Sequence, residues 1–164
     1  MKYLTIRFIN TKGIVSRLIT GETFSLMDHC EGLSRDGNSW VGAHAWTGVQ
    51  ARSLDWADED IIWCREYTIP CTEEEYEDAM AFMDKHVLSR TRYNYRGVFG
   101  VFVHDRNATD RTRIDCSDFM IQWLWAARKK VLNVRPGESW MVTPEMLHLS
   151  PIFIGRGTSS NAAY

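Results

Sequence analysis

A cysteine at the predicted start of a helix is the residue of this chain best suited to covalent chemistry. Mostly polar residues fill positions 109–115, and Cys116 follows them directly. A cysteine in a first helical turn lies at the positive end of the helix dipole, which lowers its pKa and favours the nucleophilic thiolate. The alternative is a small core residue, because free cysteine is among the most buried residue types. The helix is indicated by apolar residues three and four apart: Phe119, Met120, Trp123, Leu124 and Ala127.

Two of the five histidines are placed to supply the base that such a thiolate needs. His29 and His44 lie in predicted strands on either side of Asp36-Gly37, a strong hairpin signal. They are equally far from that turn, so pairing predicts that they lie opposite each other, about 5 Å apart between Cβ atoms. Glu31 shares the strand face of His29. Either His44 or Glu31 is therefore expected to orient the His29 ring.

The other three histidines have contexts that favour no catalytic role. His86 comes near the end of an acidic amphipathic helix and is expected to face solvent or cap that helix. His104 lies in a polar loop, and His148 has no obvious partner in the sequence.

The elements that must position these residues are predicted to be mainly strands in the first half of the chain and helices in the second half. Helical spacing predicts helices at 72–88, with a Thr72–Glu75 capping box, at 94–103 and at 116–131, which ends in three basic residues. Thr143-Pro144 opens a short helical turn to residue 149. This order predicts an α+β domain over 1–154, with an antiparallel sheet first and the cysteine-bearing helix late, and a mobile tail over 155–164. Period-two patterns predict strands at 1–9, 24–33, 39–44, 48–53 and 61–69, with a helix or turn at 14–19.

Composition excludes several classes of protein. The 164 residues carry a net charge of −2, which argues against a general nucleic-acid binder. No apolar run reaches about 18 residues, so no membrane span is predicted. Arg7 interrupts any signal-peptide core, which predicts a cytoplasmic or virion-associated protein. The four cysteines, Cys30, Cys64, Cys71 and Cys116, contain no Cys-x-x-Cys pair, so we expect reduced thiols, no metal site and no cofactor.

Several segments together resemble the circularly permuted papain-like cysteine hydrolases of the NlpC/P60 superfamily, which include the YiiX-like, YebB-like and lecithin retinol acyltransferase-like groups. In those proteins the histidine strand precedes the cysteine helix, as it does here. The resemblance implies a permuted papain-like fold, Cys116 as nucleophile and His29 as base. The family's polar third residue falls near Gly42, so His44, two residues on, is the first choice for that role and Glu31 the second. The likeness spans residues 13–125 and is carried by segments 16–25, 28–31, 36–43, 48–52, 93–100 and 115–119.

Three functions are consistent with this interpretation. The first is hydrolysis of an amide bond in a peptide or a peptidoglycan cross-link, as in a phage lysis or tail protein. The second is acyl transfer from a lipid or thioester, for which Trp123 and Trp125 would line an apolar groove. The third is a non-catalytic binding or structural module, such as a virion component. Trp40, Trp46 and Trp56 are candidates to line a substrate pocket.

Overall fold

The protein is described by a computed structural model that covers residues 1–12, 26–56, 58–96, 98, 110, 112–135, 137–153 and 157–158. It is an α+β structure, as predicted. The turn or helix predicted at 14–19, most of the helix predicted at 94–103 and most of the tail predicted at 155–164 lie outside these residues. Within them, no helix is long and apolar enough to cross a membrane. The strands are β1 (Lys2–Thr11), β2 (His29–Leu33), β3 (Ser39–His44), β4 (Gly48–Ser53), β5 (Ile61–Cys71) and β6 (Gly157–Thr158), and the helices are α1 (Glu73–Leu88), α2 (Cys116–Ala126) and α3 (Pro144–His148).

The six strands form one antiparallel sheet in the order β4-β3-β2-β1-β5-β6. Strand β1 is central, and it pairs along its whole length with β5 and, at its second half, with β2. In β1, Leu4, Ile6 and Phe8 lie on the face that the helices cover, and they are fully buried. Because β1 lies in the interior of the sheet and one of its faces is covered by helices, its residues are largely apolar.

The β2–β3 hairpin has the register that the Asp36-Gly37 turn predicts. Gly32 pairs with Val41 and Leu33 with Trp40. Gly37 adopts a φ of +71°, in the left-handed region that the turn requires. Continued back along both strands, the same register brings His29 across from His44.

Strand β2 is shorter than predicted, because residues 26–28 turn towards β1 instead of continuing the ladder. The Asp28 carboxylate accepts hydrogen bonds from the Thr11 backbone N–H (3.1 Å) and from the Thr11 hydroxyl (2.8 Å). The Asn10 side chain donates to the Leu26 carbonyl at 2.9 Å. His29 is consequently the first residue of its strand.

Helix α1 begins with the predicted capping box, in which Thr72 and Glu75 bond to each other's backbone N–H groups. Helix α2 ends at Ala126, five residues before the predicted end at 131, because Arg128 turns into a positive φ of 57°. The basic residues that were predicted to form the end of this helix lie beyond it. Arg128 contacts Glu74 at 2.6 Å, and Lys129 contacts Glu75 at 2.8 Å, so these charges join α2 to α1.

Helix α2 packs closely against β2 at a glycine. A Cβ on Gly32 would lie 2.9 Å from Met83 Cε and 3.2 Å from the Trp123 ring, so only glycine fits without a shift. Trp123 is fully buried there. This close packing holds the first turn of α2 beside the start of β2, where Cys116 and His29 lie.

Candidate active site

Cys116 is the first residue of α2, and the sequence before it explains why the helix begins there. Asp115 is the N-cap, and its carboxylate accepts the Asp118 backbone N–H at 2.9 Å. The Ser117 hydroxyl lies 3.0 Å from the same Asp115 oxygen and also contacts the Val142 carbonyl, either of which can accept its hydrogen. Cys116 is 4% exposed. Its backbone N–H is among the four at a helix start that have no partner within the helix, a position suited to binding an anion.

His29 and His44 lie side by side, as the hairpin predicts, with ring centroids 4.7 Å apart. Glu31 lies between them, and its Oε1 is 3.3 Å from the Nε2 of each ring. Its contact with His29 is a hydrogen bond. The His44 Nε2 does not align with Glu31 for a hydrogen bond and has no partner in the described part of the chain.

Gly42 leaves the space that Glu31 occupies. A Cβ at Gly42 would lie 3.0 Å from Glu31 Cγ and 3.3 Å from both His29 Nε2 and the Cys30 carbonyl. The space beside Gly42 is therefore filled by Glu31 from the neighbouring strand.

Arg7 is a site residue that the sequence reasoning missed. It lies opposite Glu31 in the β1–β2 ladder, and its Nε donates to Glu31 Oε2 at 2.8 Å. It is 3% exposed and stacks on the Trp40 ring at 4.5 Å. An arginine within an apolar strand indicates a buried carboxylate partner, but the sequence does not show which carboxylate that is.

The thiol and His29 shift each other's pKa in opposite directions. Burial alone would lower the pKa of His29, but its hydrogen bonds and charge interactions with Cys116 and Glu31 raise that pKa from 6.5 to about 10. Hydrogen bonds from Cys30 and His29, with the His29 charge, outweigh burial and lower the pKa of Cys116 from 9.0 to about 5. At neutral pH these values correspond to a thiolate facing an imidazolium.

The two groups beside His29 have opposite charge states. Burial raises the pKa of Glu31, but His29 and Arg7 outweigh it and lower that pKa from 4.5 to about 2, so Glu31 is a carboxylate. Burial and then the charge of His29 lower the pKa of His44 from 6.5 to about 2, so His44 is neutral. Its ring packs edge-on against Trp56 at 5.0 Å.

Two further residues near the thiol were not assigned to the site from the sequence. Burial, and then its interaction with Cys116, raise the pKa of Cys30 well above 9.0. Burial and the neighbouring charge of Cys116 likewise raise the pKa of Tyr93. All four cysteines are free thiols. Long-range packing places Cys30 and Tyr93, so no local pattern identifies them.

Two of the remaining histidines, His86 and His148, do not join the site. His86 Nδ1 bonds to the Thr91 hydroxyl at 2.9 Å, and His104 lies outside the described residues. His148, for which the sequence indicated no partner, bonds to the Tyr67 hydroxyl at 2.6 Å. Of the candidate pocket tryptophans, Trp40 and Trp56 pack within the site and Trp46 is 85% exposed.

His29, Glu31 and His44 also form a possible metal-ligand set, with one ligand atom from each within 4.8 Å of the others. Two imidazoles and a carboxylate are ligands that zinc accepts. However, Arg7 holds a positive charge 2.8 Å from Glu31, and a metal ion would have to displace the proton of His29. The positive charge of Arg7 beside these three residues therefore favours a protonated His29 over a bound metal ion.

Comparisons with known proteins leave the site to be interpreted from its geometry. No protein-family model matches the chain, and no curated protein matches it.

Proposed function

We propose that the chain is a cysteine-dependent hydrolase of an amide bond, with a permuted papain-like arrangement of its site. The observation that supports this most strongly is geometric: Cys116 begins helix α2 with its Sγ 4.0 Å from the carbonyl of Asp28, the residue before His29, and Glu31 hydrogen-bonds to the His29 ring. The lowered pKa of Cys116 and the raised pKa of His29 agree with this arrangement. Perturbed groups of this kind concentrate at catalytic sites, because a nucleophile must be ionised at working pH. Cys116 is the nucleophile, His29 the acid and base, and Glu31 orients His29.

The reaction follows from these positions. The Cys116 thiolate attacks the carbonyl carbon of the substrate, and the resulting oxyanion is held by the Cys116 backbone N–H at the helix start. The His29 imidazolium then donates its proton to the leaving nitrogen as the C–N bond breaks, which leaves a thioester on Cys116. Neutral His29 takes a proton from water, the hydroxyl attacks the thioester, and the carboxylic acid leaves as the thiolate is restored.

Contacts favour Glu31 over His44 as the orienting residue. Glu31 hydrogen-bonds to His29 Nε2 and carries the negative charge that stabilises an imidazolium. His44 is neutral and contacts His29 only through its ring. Arg7 acts through Glu31, whose second oxygen it fixes.

The alternatives from the sequence have less support. An acyltransferase was expected to use Trp123 and Trp125 in an apolar groove, but the Trp123 side chain is fully buried against Gly32. Trp125 is half-buried and lines a pocket of about 700 Å³, but neither Cys116 nor His29 lines that pocket. A purely structural module would gain little from burying Arg7, Glu31 and His29 together, because buried ion pairs seldom stabilise more than the apolar residues that could replace them.

The rate of alkylation of each cysteine by iodoacetamide, measured against pH and mapped by peptide mass spectrometry, tests the proposal. We expect Cys116 to react with a midpoint well below the ~8.5 of a free thiol. His29→Ala should raise this midpoint, whereas His86→Gln, outside the site, should leave it unchanged. If Cys116 titrates like Cys64 and Cys71, the proposal is wrong.

A further inference from the structure

A pocket of about 520 Å³ lies between the β3–β4 turn and the segment that follows α1. This is within the usual size range of ligand sites. Its walls combine cationic and aromatic side chains, principally Trp46, Arg90, Arg92, Tyr93, Tyr95 and Arg113.

The positive charge of this pocket is only partly neutralised. Arg113 pairs with Asp110 at 3.0 Å, whereas Arg90 and Arg92 form no ion pair with a described residue. Elsewhere on the surface, Arg35 and Arg128 each contact two carboxylates. Three guanidinium groups around one pocket repel one another, and the single carboxylate paired with them leaves a positive charge that a bound anion would balance.

An exposed tryptophan at the mouth of this pocket is held in an unfavourable conformation. Trp46 is 85% exposed and has a φ of +75°, a genuine outlier for so bulky a residue. The Tyr95 hydroxyl accepts its backbone N–H, and the two rings lie 5.6 Å apart. Such strain persists where surrounding contacts impose it, and it concentrates at ligand-binding sites.

The pocket adjoins the candidate active site at three points. Tyr93, in its wall, has a pKa that burial and then the charge of Cys116 raise, and its neighbour in the parallel bridge is Ile114, two residues before Cys116. Trp46 follows His44 by two residues. Two or three extended residues span at most ~10 Å, so the Cα atoms of Arg113 and Trp46 lie within about that distance of the Cα atoms of Cys116 and His44, respectively.

We propose that this pocket is a substrate subsite that binds the carboxylate of an acidic peptide side chain, two or three residues from the bond that Cys116 attacks. The inference rests on the proposed hydrolase function and adds the charge of its substrate. Arg90 and Arg92 bind the carboxylate through paired N–H groups, and the rings of Trp46 and Tyr95 pack on the peptide beside it. Nucleic acid is the less favoured anion, because the chain as a whole carries a net charge of −2.

Matched affinity labels test this without a known substrate. We would alkylate the protein with bromoacetyl-Gly-Glu-amide and with bromoacetyl-Gly-Gln-amide, which differ in one charge, and measure the modification of Cys116 by mass spectrometry. For the wild type we expect the Glu label to react about tenfold faster, corresponding to about 1.4 kcal/mol. Added salt should reduce that preference.

The variant Arg90→Gln/Arg92→Gln should lose the preference and keep the rate with the Gln label. Arg135→Gln, an exposed arginine outside the pocket, should keep both rates. Equal rates for the two labels on a reactive Cys116 would overturn the subsite and leave the hydrolase proposal standing, whereas a Cys116 inert to both labels would overturn the two together. Arginine-dependent binding of a single-stranded 12-mer oligonucleotide, without any preference for the Glu label, would assign the pocket to nucleic acid instead.

Discussion

Replacing Glu31 by glutamine tests whether this carboxylate maintains the charge state of the dyad. Its Oε1 is 3.3 Å from His29 Nε2, and two unit charges at that distance attract by about 5 kcal/mol at an effective dielectric constant of about 20. Glutamine keeps an oxygen for the hydrogen bond and loses the charge. We expect roughly half of the attraction to be lost, which is equivalent to a fall of about two units in the pKa of His29.

A less basic His29 stabilises the thiolate less, so the alkylation midpoint of Cys116 should rise by at least about one unit. The measurement is the pH dependence of iodoacetamide alkylation, with Glu59→Gln, an exposed glutamate outside the site, as the control. If Glu31→Gln titrates like the wild type, or if His44→Gln shifts the midpoint further, the role given to Glu31 is wrong.

The same substitution leaves Arg7 buried without its partner, which should cost about 3–5 kcal/mol of stability. Urea unfolding followed by circular dichroism measures this cost. Adding Arg7→Gln should recover part of the stability while the raised Cys116 midpoint persists. That combination would separate the effect of losing the Glu31 charge beside His29 from a general destabilisation of the sheet.

Three further predictions concern the dyad and its surroundings. The pKa of His29 is 6.5 in the unfolded chain and about 10 in the folded one, so its contribution to stability is complete below pH 6.5 and is lost as the pH rises through 10. The pKa of Cys116 is 9.0 in the unfolded chain and about 5 in the folded one, so its contribution is complete above pH 9 and is lost as the pH falls through 5. The two pH dependences cancel between pH 6.5 and 9, so the free energy of unfolding should be constant there and fall at lower and at higher pH. Cys116→Ser should remove the part of this fall that the Cys116–His29 pair causes. An unchanged pH profile in that variant would contradict the charged pair. Gly42→Val should cost about 1–3 kcal/mol in urea unfolding and raise the Cys116 midpoint, because its side chain meets Glu31 and His29; full stability with an unmoved midpoint would refute this packing. Cys30→Ala removes a hydrogen bond to the thiolate and should raise the Cys116 midpoint on alkylation, and an equal or lower midpoint would show that Cys30 does not stabilise the thiolate.

Local patterns predicted the parts of the fold that are set by neighbours in the chain. Strands β3 and β4 begin and end where the sequence indicates, and the Thr72 capping box starts α1. The His29–His44 pairing also follows from one tight turn, since a hairpin turn fixes its register.

Features set by distant partners could not be predicted in this way. The Arg7–Glu31 ion pair depends on β1 lying beside β2, and the segment that connects them gives no register. Helix α2 ends early where Arg128 and Lys129 contact Glu74 and Glu75 of α1, residues that are distant in the sequence. The position of Cys30 beside Cys116 requires the packing of α2 on the sheet at Gly32.

The order of the elements along the chain also determines when the site can form during synthesis. The hairpin with His29 and Glu31 leaves the ribosome early, but β1 pairs along its whole length with β5, and α2 follows later still. Pairings between distant segments form slowly, because loop closure precedes the contacts that stabilise them. A nascent chain therefore holds Cys116 as an ordinary thiol until α2 docks on the completed sheet, and the reactivity proposed for Cys116 would belong to the folded domain alone.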